Sequence, residues 1–228
     1  MGNLIFSTHG RSPALLHARN RLEQWGYTVS ADPRRATHLL LPVPTGDQSG
    51  DLPPLRPDVT VFGGNLETLP YKQVDLLQDE YYLVENAAIT AQCALRYADI
   101  RPGMPVLVIG WGRIGKHLAP LLEEMGALVT VAVRKQRDHA ALTALGLKAE
   151  YLMNIRPHDY AVIFNTAPAP ILSAASCHKH AVLVDLASKK GIEGDGVIWA
   201  RGLPGKDAPE LSGNLIAKTV LRYALGKE

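Results

Sequence analysis

Cysteine is scarce in this chain and long apolar runs are missing, and each scarcity excludes a class of protein. The 228 residues contain two cysteines, Cys93 and Cys177, which do not have the spacing of metal ligands. Cys93 falls in a helical pattern, so we expect it to be buried as a small apolar side chain. We therefore predict a reduced protein without a metal site.

No apolar stretch approaches the roughly 20 residues that a membrane span requires. The first apolar run, Leu4–Phe6, has only the length of a strand, which does not indicate a secretory signal. We therefore expect a cytoplasmic enzyme or binding protein that does not associate with membranes.

Excess charge of one sign is also missing, because the formal net charge is only +2. The basic residues form short groups, at Arg34–Arg35, Arg134–Arg137 and Lys189–Lys190, and do not extend into a stripe. We therefore expect no nucleic-acid partner.

A glycine motif directly follows a strand-like segment. Val106–Ile109 is apolar throughout, as expected of a parallel strand that is buried on both faces. Glycines then follow in the G-x-G-x-x-G pattern of dinucleotide-binding folds, in which they permit a tight turn, a close approach of pyrophosphate and close packing of the next helix. We predict that this helix begins near Arg113 and directs its positive end at the phosphates. The candidate cofactor-binding residues of this loop are Gly110, Trp111, Gly112, Arg113, Ile114 and Gly115.

The alternative for this loop is a glycine-rich turn in a Rossmann-like domain that has lost its ligand. The surrounding pattern favours a working site, because the loop follows an apolar strand, opens a helical pattern and is followed by a second strand, Leu128–Val133. That strand ends in Arg134 and Lys135, where an NAD-binding fold normally has an acid, and the alternative for these cations is a solvated basic turn. A guanidinium can bind a 2′-phosphate with two parallel hydrogen bonds, and nearby cations add charge. We therefore predict NADP as the cofactor and consider NAD less favoured.

The length and the order of elements predict two domains. We expect a small α/β domain over residues 1–84, an interdomain helix over 85–100, and a Rossmann domain with a C-terminal helix over 101–228. Alternating strands and helices in the second domain predict a doubly wound parallel sheet. The predicted strands are Leu4–Ser7, Tyr27–Val29, Thr37–Leu41, Val59–Phe62, Val106–Ile109, Leu128–Val133, residues 149–152, Ala161–Phe164, Ala181–Asp185 and Val197–Ala200.

Three further loops follow predicted strands of the second domain. Ligands of such sheets lie beyond the carboxyl ends of the strands, which favours these loops for cofactor or substrate contacts. The alternative is that the Asn, Ser, Pro and Gly residues of these loops only form turns, and that Asp185 only caps a loop. The candidate cofactor residues are Asn165, Thr166, Ala167, Asp185, Leu186 and Ala187.

The sequence pattern around the eight histidines indicates no histidine–carboxylate relay for proton transfer. His9, His178 and His180 lie in predicted loops or turns, and none makes an evident pair with a carboxylate. We expect structural or solvated roles for them, and we can name no general base.

Several loop segments carry a shared set of motifs. The most specific is the Leu-Pro-Gly-x-x-Ala-Pro block over residues 203–209, and the others are Leu40–Val43, Gly110–Gly115, Asn165–Pro168 and Val184–Lys189. These motifs resemble those of the dipicolinate synthase family, in its A-type, NADP-binding subunits. The resemblance covers most of residues 100–228 and is sparser before them.

The resemblance implies a flavodoxin-like N-terminal domain, a Rossmann C-terminal domain and a flavoprotein-like second subunit, in spore-forming bacteria. The implied reaction converts 4-hydroxy-tetrahydrodipicolinate to dipicolinate, by loss of water and hydride transfer to NADP. The chain departs from the family in its shorter N-terminal half and in having Lys189–Lys190 in place of Arg-Pro. In the predicted interdomain helix, the family has Pro before a Thr and Glu-Gly after it. This chain has Ile89 before Thr90, and Gln92 and Cys93 after it.

We therefore predict an NADP-dependent oxidoreductase that binds a small planar dicarboxylate and forms a homo-oligomer. Lys189 is the central substrate candidate, because a dicarboxylate needs cations or N–H donors. The alternatives are a 2-hydroxyacid-type dehydrogenase and a non-catalytic NADP-binding regulatory or scaffold subunit. The candidate substrate-binding residues are Asn86, Thr90, Ser188, Lys189, Gly202 and Pro204.

Overall fold

The computed structural model describes residues 4–46 and 52–226. Within these residues it contains thirteen strands and six α-helices, with short 3₁₀ turns between several of them. The helices are α1 (Pro13–Gln24), α2 (Glu80–Ala94), α3 (Arg113–Glu124), α4 (Gln136–Ala144), α5 (Leu203–Asp207) and α6 (Pro209–Ala224). The strands are β1 (Ile5–Thr8), β2 (Thr28–Val29), β3 (His38–Leu40), β4 (Thr60–Gly63), β5 (Lys72–Asp75), β6 (Pro105–Ile109), β7 (Leu128–Val133), β8 (Ala149–Tyr151), β9 (Val162–Asn165), β10 (Leu172–Ser173), β11 (Val182–Asp185), β12 (Ile192–Glu193) and β13 (Val197–Trp199).

The chain divides into two compact units. The first comprises the residues up to Ile89 together with those from Pro204 onwards, and the second comprises Thr90–Leu203. Residues 47–51, between β3 and β4, fall outside the described residues. No helix in the described ranges is both long and apolar enough to cross a bilayer.

The sheet of the first unit has the strand order β2-β1-β3-β4-β5, and all of its pairs are parallel. This is the flavodoxin-like order, which confirms the predicted architecture of the N-terminal domain. The strand β5 was not predicted, because its sequence Lys-Gln-Val-Asp contains a single apolar residue.

The final helix α6 packs on α1 within the first unit. Gly213 permits the close approach, since a Cβ there would collide with the carbonyl oxygen of Ala14 and lie 2.5 Å from the Cβ of His17. The apolar face of α6, including Ile216 and Val220, completes the core around Phe6. This helix therefore belongs to the first unit and not to the Rossmann domain in which we predicted it.

A buried carboxylate joins α2 to α6. Asp79 accepts hydrogen bonds from the Tyr82 N–H and the Tyr223 hydroxyl, each at 2.7 Å, and pairs with Arg222. Burial alone would raise the pKa of Asp79, but these hydrogen bonds and the Arg222 charge outweigh it and hold the pKa below its ordinary value. The predicted interdomain helix thus begins at Glu80 rather than at 85, and the boundary between the units falls inside it.

The second unit has a six-stranded sheet in the order β13-β11-β9-β6-β7-β8, again entirely parallel. Counted from β6, this is the Rossmann order 3-2-1-4-5-6, which confirms the predicted doubly wound fold. The strands β10 and β12 form a separate two-stranded parallel sheet. They were not predicted, because each has only two residues. The switch point between β6 and β9 places the candidate site at the carboxyl ends of those strands.

Candidate nucleotide site

The glycine loop begins directly after β6. Gly110 has φ of +102°, a left-handed conformation that favours glycine, and its N–H donates to the carbonyl oxygen of Ala132 at 2.9 Å. A Cβ at this position would lie 2.6 Å from Oγ1 of Thr166. That hydroxyl and the Thr166 N–H both donate to the carbonyl oxygen of Ile109 at 2.9 Å, so the loop after β9 is fixed against the glycine loop.

The other two glycines of the motif have different surroundings. A Cβ on Gly115 would collide with the carbonyl oxygen of Gly110, so the first turn of α3 can approach the strand only without a side chain there. A Cβ on Gly112 would have no neighbouring atom within 4 Å. Gly112 also has an ordinary negative φ of −84°, so the protein's own packing does not require glycine at this position. The space above it is what a closely approaching pyrophosphate needs.

This space is part of a pocket of about 430 Å³ inside the second unit, where the ends of β6, β7 and β9 meet. The pocket brings together seven of the predicted cofactor residues. Arg113, Ile114 and Gly115 lie at the start of α3, next to the pocket in sequence. The predicted residues that line the pocket are Gly110, Trp111, Gly112, Arg134, Lys135, Thr166 and Ala167.

Positive charge dominates the pocket wall. Lys116, Arg134, Lys135 and Arg137 line it together with one acid, Asp138. Asp138 lies 3.5 Å from Nε of the neighbouring Arg137, which leaves a local excess of positive charge. Such a wall favours an anionic ligand.

Lys116 was not predicted, because the glycine motif ends one residue before it. The signal was available, since Lys116 is four residues after Gly112 and therefore on the same helical face. Leu152 and Ile171 were also missed, and they supply apolar surface to the same pocket. They follow short, weakly patterned segments that do not indicate which strand end they approach.

The side chains of Asn165 and Asp185 are fully buried and serve the protein itself. Asp185 accepts four hydrogen bonds, from the amide of Asn165, from the N–H of Ala187 and from the N–H groups of Gly191 and Ile192, at 2.6–3.1 Å. A carboxylate has about four acceptor sites, so this one is saturated. The capping role weighed for Asp185 is thus the one that the structure shows.

Asn165 completes the same network. Its amide nitrogen also donates to the carbonyl oxygen of Ala167 at 3.1 Å, and its amide oxygen accepts from the Ala167 N–H at 3.1 Å. Gly191 lies against this amide, since a Cβ there would collide with the amide nitrogen of Asn165 and lie 2.6 Å from the carbonyl oxygen of Ala169. Asn165 and Asp185 therefore clamp the loops after β9 and β11 together. Leu186 and Ala187 are buried beside the clamp and do not line the pocket within the described residues.

The predicted substrate residues are divided between the two units. Thr90, Ser188, Lys189 and Gly202 belong to the second unit, whereas Asn86 and Pro204 belong to the first. Ser188 and Lys189 are exposed in the loop at the carboxyl end of β11. Thr90 and Pro204 are buried, and Gly202 has φ of +66°.

No histidine is among the described residues that line the pocket. The rings of His158, His178 and His180 are near one another, with centroids 5.0 and 5.6 Å apart. His38 packs between two phenylalanines of the first unit, and burial, together with the Lys72 charge, lowers its pKa. No group of three His, Cys, Asp or Glu side chains within residues 4–46 and 52–226 is arranged to hold a metal ion.

Comparisons with known proteins identify the fold. No protein-family model matches the chain, and no curated protein does. Among solved structures, the chain is similar to the A-type subunit of dipicolinate synthase from Bacillus halodurans, with 21% identity, a TM-score of 0.81 and 97% of each chain covered. It is also similar to the corresponding dipicolinate synthase chain from Bacillus subtilis, with 20% identity, a TM-score of 0.77 and 99% and 97% of the two chains covered.

A transhydrogenase from Sinorhizobium meliloti has 17% identity, a TM-score of 0.72 and 96% and 93% coverage. At these identities the comparisons show the fold alone. They confirm, at that level, the resemblance that the loop motifs predicted, and they extend it over nearly the whole chain.

Proposed function

We propose that this chain is an NADP-dependent oxidoreductase that resembles the A-type subunit of dipicolinate synthase in activity. The observation that carries the proposal is the pocket at the end of β6, where the open glycine loop faces a wall of four cations. The fold likeness to two dipicolinate synthase chains favours this enzyme among the many that use a Rossmann fold.

The residues of the pocket fit a dinucleotide with an additional phosphate. The first N–H groups and positive dipole end of α3 would face the pyrophosphate across Gly112. Arg134 and Lys135 would bind the 2′-phosphate, since they are exposed cations at the end of β7. Leu152 and Ile171 would provide apolar surface for the adenine ring.

The proposed reaction is the conversion of 4-hydroxy-tetrahydrodipicolinate to dipicolinate. Loss of one water gives a dihydropyridine, and removal of a hydride and a proton then gives the aromatic ring. NADP, when bound, would supply the acceptor for this hydride. Aromatisation provides driving force, so the protein's main task is to position the ring carbon and exclude competing reactions.

Substrate binding is assigned to the loop after β11. Lys189 is exposed there beside Ser188. The carboxylate of Asp185, whose acceptor sites are all used, fixes the same loop through backbone hydrogen bonds. An ammonium on a fixed loop can pair with a carboxylate of the substrate. Asn86, Thr90, Gly202 and Pro204 stay predictions from the sequence.

We further propose a homo-oligomeric state, a cytoplasmic location, a role in sporulation and a flavoprotein-like second subunit. The support for a second subunit is that a protein with the same fold is described as one subunit of its enzyme.

The 2-hydroxyacid-type alternative needs a histidine–carboxylate pair at the cofactor, and the pocket lining contains no histidine among the described residues.

The test is an assay of NADPH formation from freshly generated 4-hydroxy-tetrahydrodipicolinate, with and without the partner protein, with dipicolinate measured separately. We expect equal amounts of NADPH and dipicolinate, and neither product from the Gly112→Val variant. Tight NADP binding without turnover in either arm would contradict catalysis and support the regulatory or scaffold alternative. Absence of NADP binding would contradict both.

A further inference from the structure

The first turn of α3 carries charge of the sign that a helix start disfavours. It contains no acidic residue, and Arg113 and Lys116 are its charged residues. The positive end of a helix dipole repels cations and attracts anions. A lysine at this position therefore opposes the stability of the empty protein, unless an anion occupies the space next to it.

The backbone directs Lys116 towards that space. Its N–H donates to the carbonyl oxygen of Gly112 at 3.0 Å, so it lies one helical turn after the open glycine. Residues four apart share a helix face, and the Cα–Cβ bonds of a helix tilt towards its N-terminus. Lys116 is exposed and lines the same pocket as Gly112.

The cations of the pocket thus come from two elements. Lys116 lies on the helix after β6, beside the glycine loop, whereas Arg134 and Lys135 follow the neighbouring strand β7. In the proposed binding mode these positions correspond to two different phosphate groups. The glycine loop faces the pyrophosphate, which NAD and NADP share, and the end of β7 faces the 2′-phosphate, which only NADP has.

We propose that Lys116 binds the pyrophosphate of the dinucleotide and determines affinity without determining cofactor choice. This inference rests on the proposed function. An ammonium provides a compact charge with three donors, which suits a diphosphate that presents several oxygens. Lys116 and Arg134 therefore have separable effects, one on every dinucleotide and one on NADP alone.

The test is titration of NADP and NAD into the wild-type protein, Lys116→Gln and Arg134→Gln. We expect Lys116→Gln to weaken both ligands by about tenfold, the size of a lost charge-assisted contact, and to leave their ratio unchanged. Arg134→Gln should weaken NADP by a similar factor and leave NAD unchanged. Adenosine 2′-phosphate, which has no pyrophosphate, should bind the wild type and Lys116→Gln equally.

Lys148→Gln is the matched control, because Lys148 is an exposed lysine of the same unit just before β8 and does not line the pocket. It should bind both dinucleotides as the wild type does. Ligand-free Lys116→Gln should melt at or above the wild-type temperature, because a charge opposed to the helix dipole has been removed.

Two results would overturn the inference and leave the proposed function intact. Loss of NADP affinity alone in Lys116→Gln would move this lysine to the 2′-phosphate, and unchanged affinity for both ligands would make it a solvated side chain. If the wild-type protein bound neither dinucleotide, the proposed function itself would fail, and the inference with it.

Discussion

At the carboxyl end of the first unit's sheet, Gly63 makes room for the protein's own atoms, whereas Gly112 in the loop after β6 of the second unit borders open space. A Cβ on Gly63, at the end of β4, would lie 2.5 Å from Oγ1 of Thr45. That hydroxyl donates to the carbonyl oxygen of Pro42 at 2.9 Å and accepts from the Gly64 N–H at 3.1 Å. A Cβ on Gly112 would meet nothing within 4 Å.

The two regions show that a glycine after a parallel strand does not by itself indicate a ligand. Both sheets are parallel, and both have the switch point at which such folds bind ligands. The difference lies in what surrounds the glycine. Thr45 is buried beside Gly63, whereas exposed Lys116 and Arg134 line the pocket around Gly112.

The strongest test of this difference is Gly112→Val. The branched side chain would occupy the empty space that the pyrophosphate needs, so we expect NADP binding to become undetectable by calorimetry. The unfolding temperature of the ligand-free protein should stay nearly unchanged, because no protein atom is displaced. Native affinity in this variant would show that the phosphates do not bind over this loop.

Lys189→Ala tests whether the ligand-binding edge extends to the loop after β11. If Lys189 pairs with a substrate carboxylate, dicarboxylate binding should weaken by about 2–5 kcal/mol, as for other truncated charge pairs. NADP binding should not change, and Lys189→Arg should retain much of the affinity. Dipicolinate titration measures both variants, and an unaffected Lys189→Ala would assign this lysine to a solvated turn.

Arg134→Asp tests the charge of the nucleotide pocket. The wild-type protein should bind NADP at least about tenfold more tightly than NAD, since a charge-assisted phosphate contact contributes roughly 1.5–3 kcal/mol. Replacing the guanidinium with a carboxylate should reduce or reverse that preference, because the acid repels the 2′-phosphate. Equal affinities in the unaltered protein, measured by calorimetry, would refute the assignment.

Gly63→Ala is the counterpart of Gly112→Val in the filled region. The added methyl group must displace Thr45, so we expect unfolding to be easier by about 1–3 kcal/mol, as for other overpacked sites. Chemical denaturation of the ligand-free protein measures this loss, and NADP affinity should remain native. A variant as stable as the wild type would mean that this sheet end has unused space.

Asp79→Asn should have the smallest effect and the clearest pH dependence. Loss of the charged partner of Arg222 should lower the stability at pH 7 by about 1–2 kcal/mol. Because the pKa of Asp79 is lowered in the folded protein, the carboxylate's contribution is present above the ordinary value of 3.8 and is lost as the pH falls below it. The difference in unfolding free energy between the wild type and Asp79→Asn should therefore be constant near neutral pH and should become smaller below about pH 4. A constant difference down to pH 3 would contradict the role of the charge.

The elements that sequence reasoning located best are those whose pattern is complete within a few residues. The strand β7 has the predicted bounds, Leu128–Val133, and α3 begins at the predicted Arg113. The glycine motif predicted the loop because each glycine has a local role: it permits the tight turn, the close approach of a pyrophosphate or the close packing of the next helix. The half-buried β5 offered no such pattern, so it was missed.

The rest depends on contacts between distant parts of the chain. The amphipathic pattern of α6 shows that one face is buried, but not that α1 is its partner. Likewise, Asn165 and Asp185 have the residue types of ligand contacts, and only the folded chain shows that they bond to each other. For the candidate site, sequence therefore predicted the loops, whereas the role of each side chain required the structure.

The return of α6 to the first unit has a consequence for biosynthesis. The second unit is one continuous segment, Thr90–Leu203, so the ribosome completes it before it has made α6. Domains generally fold as units during synthesis, and until α6 emerges the first unit leaves Phe6, Leu15 and Leu22 without part of their cover. The first unit should therefore complete its core only after α6 has been made, and until then its N-terminal half stays open to chaperones.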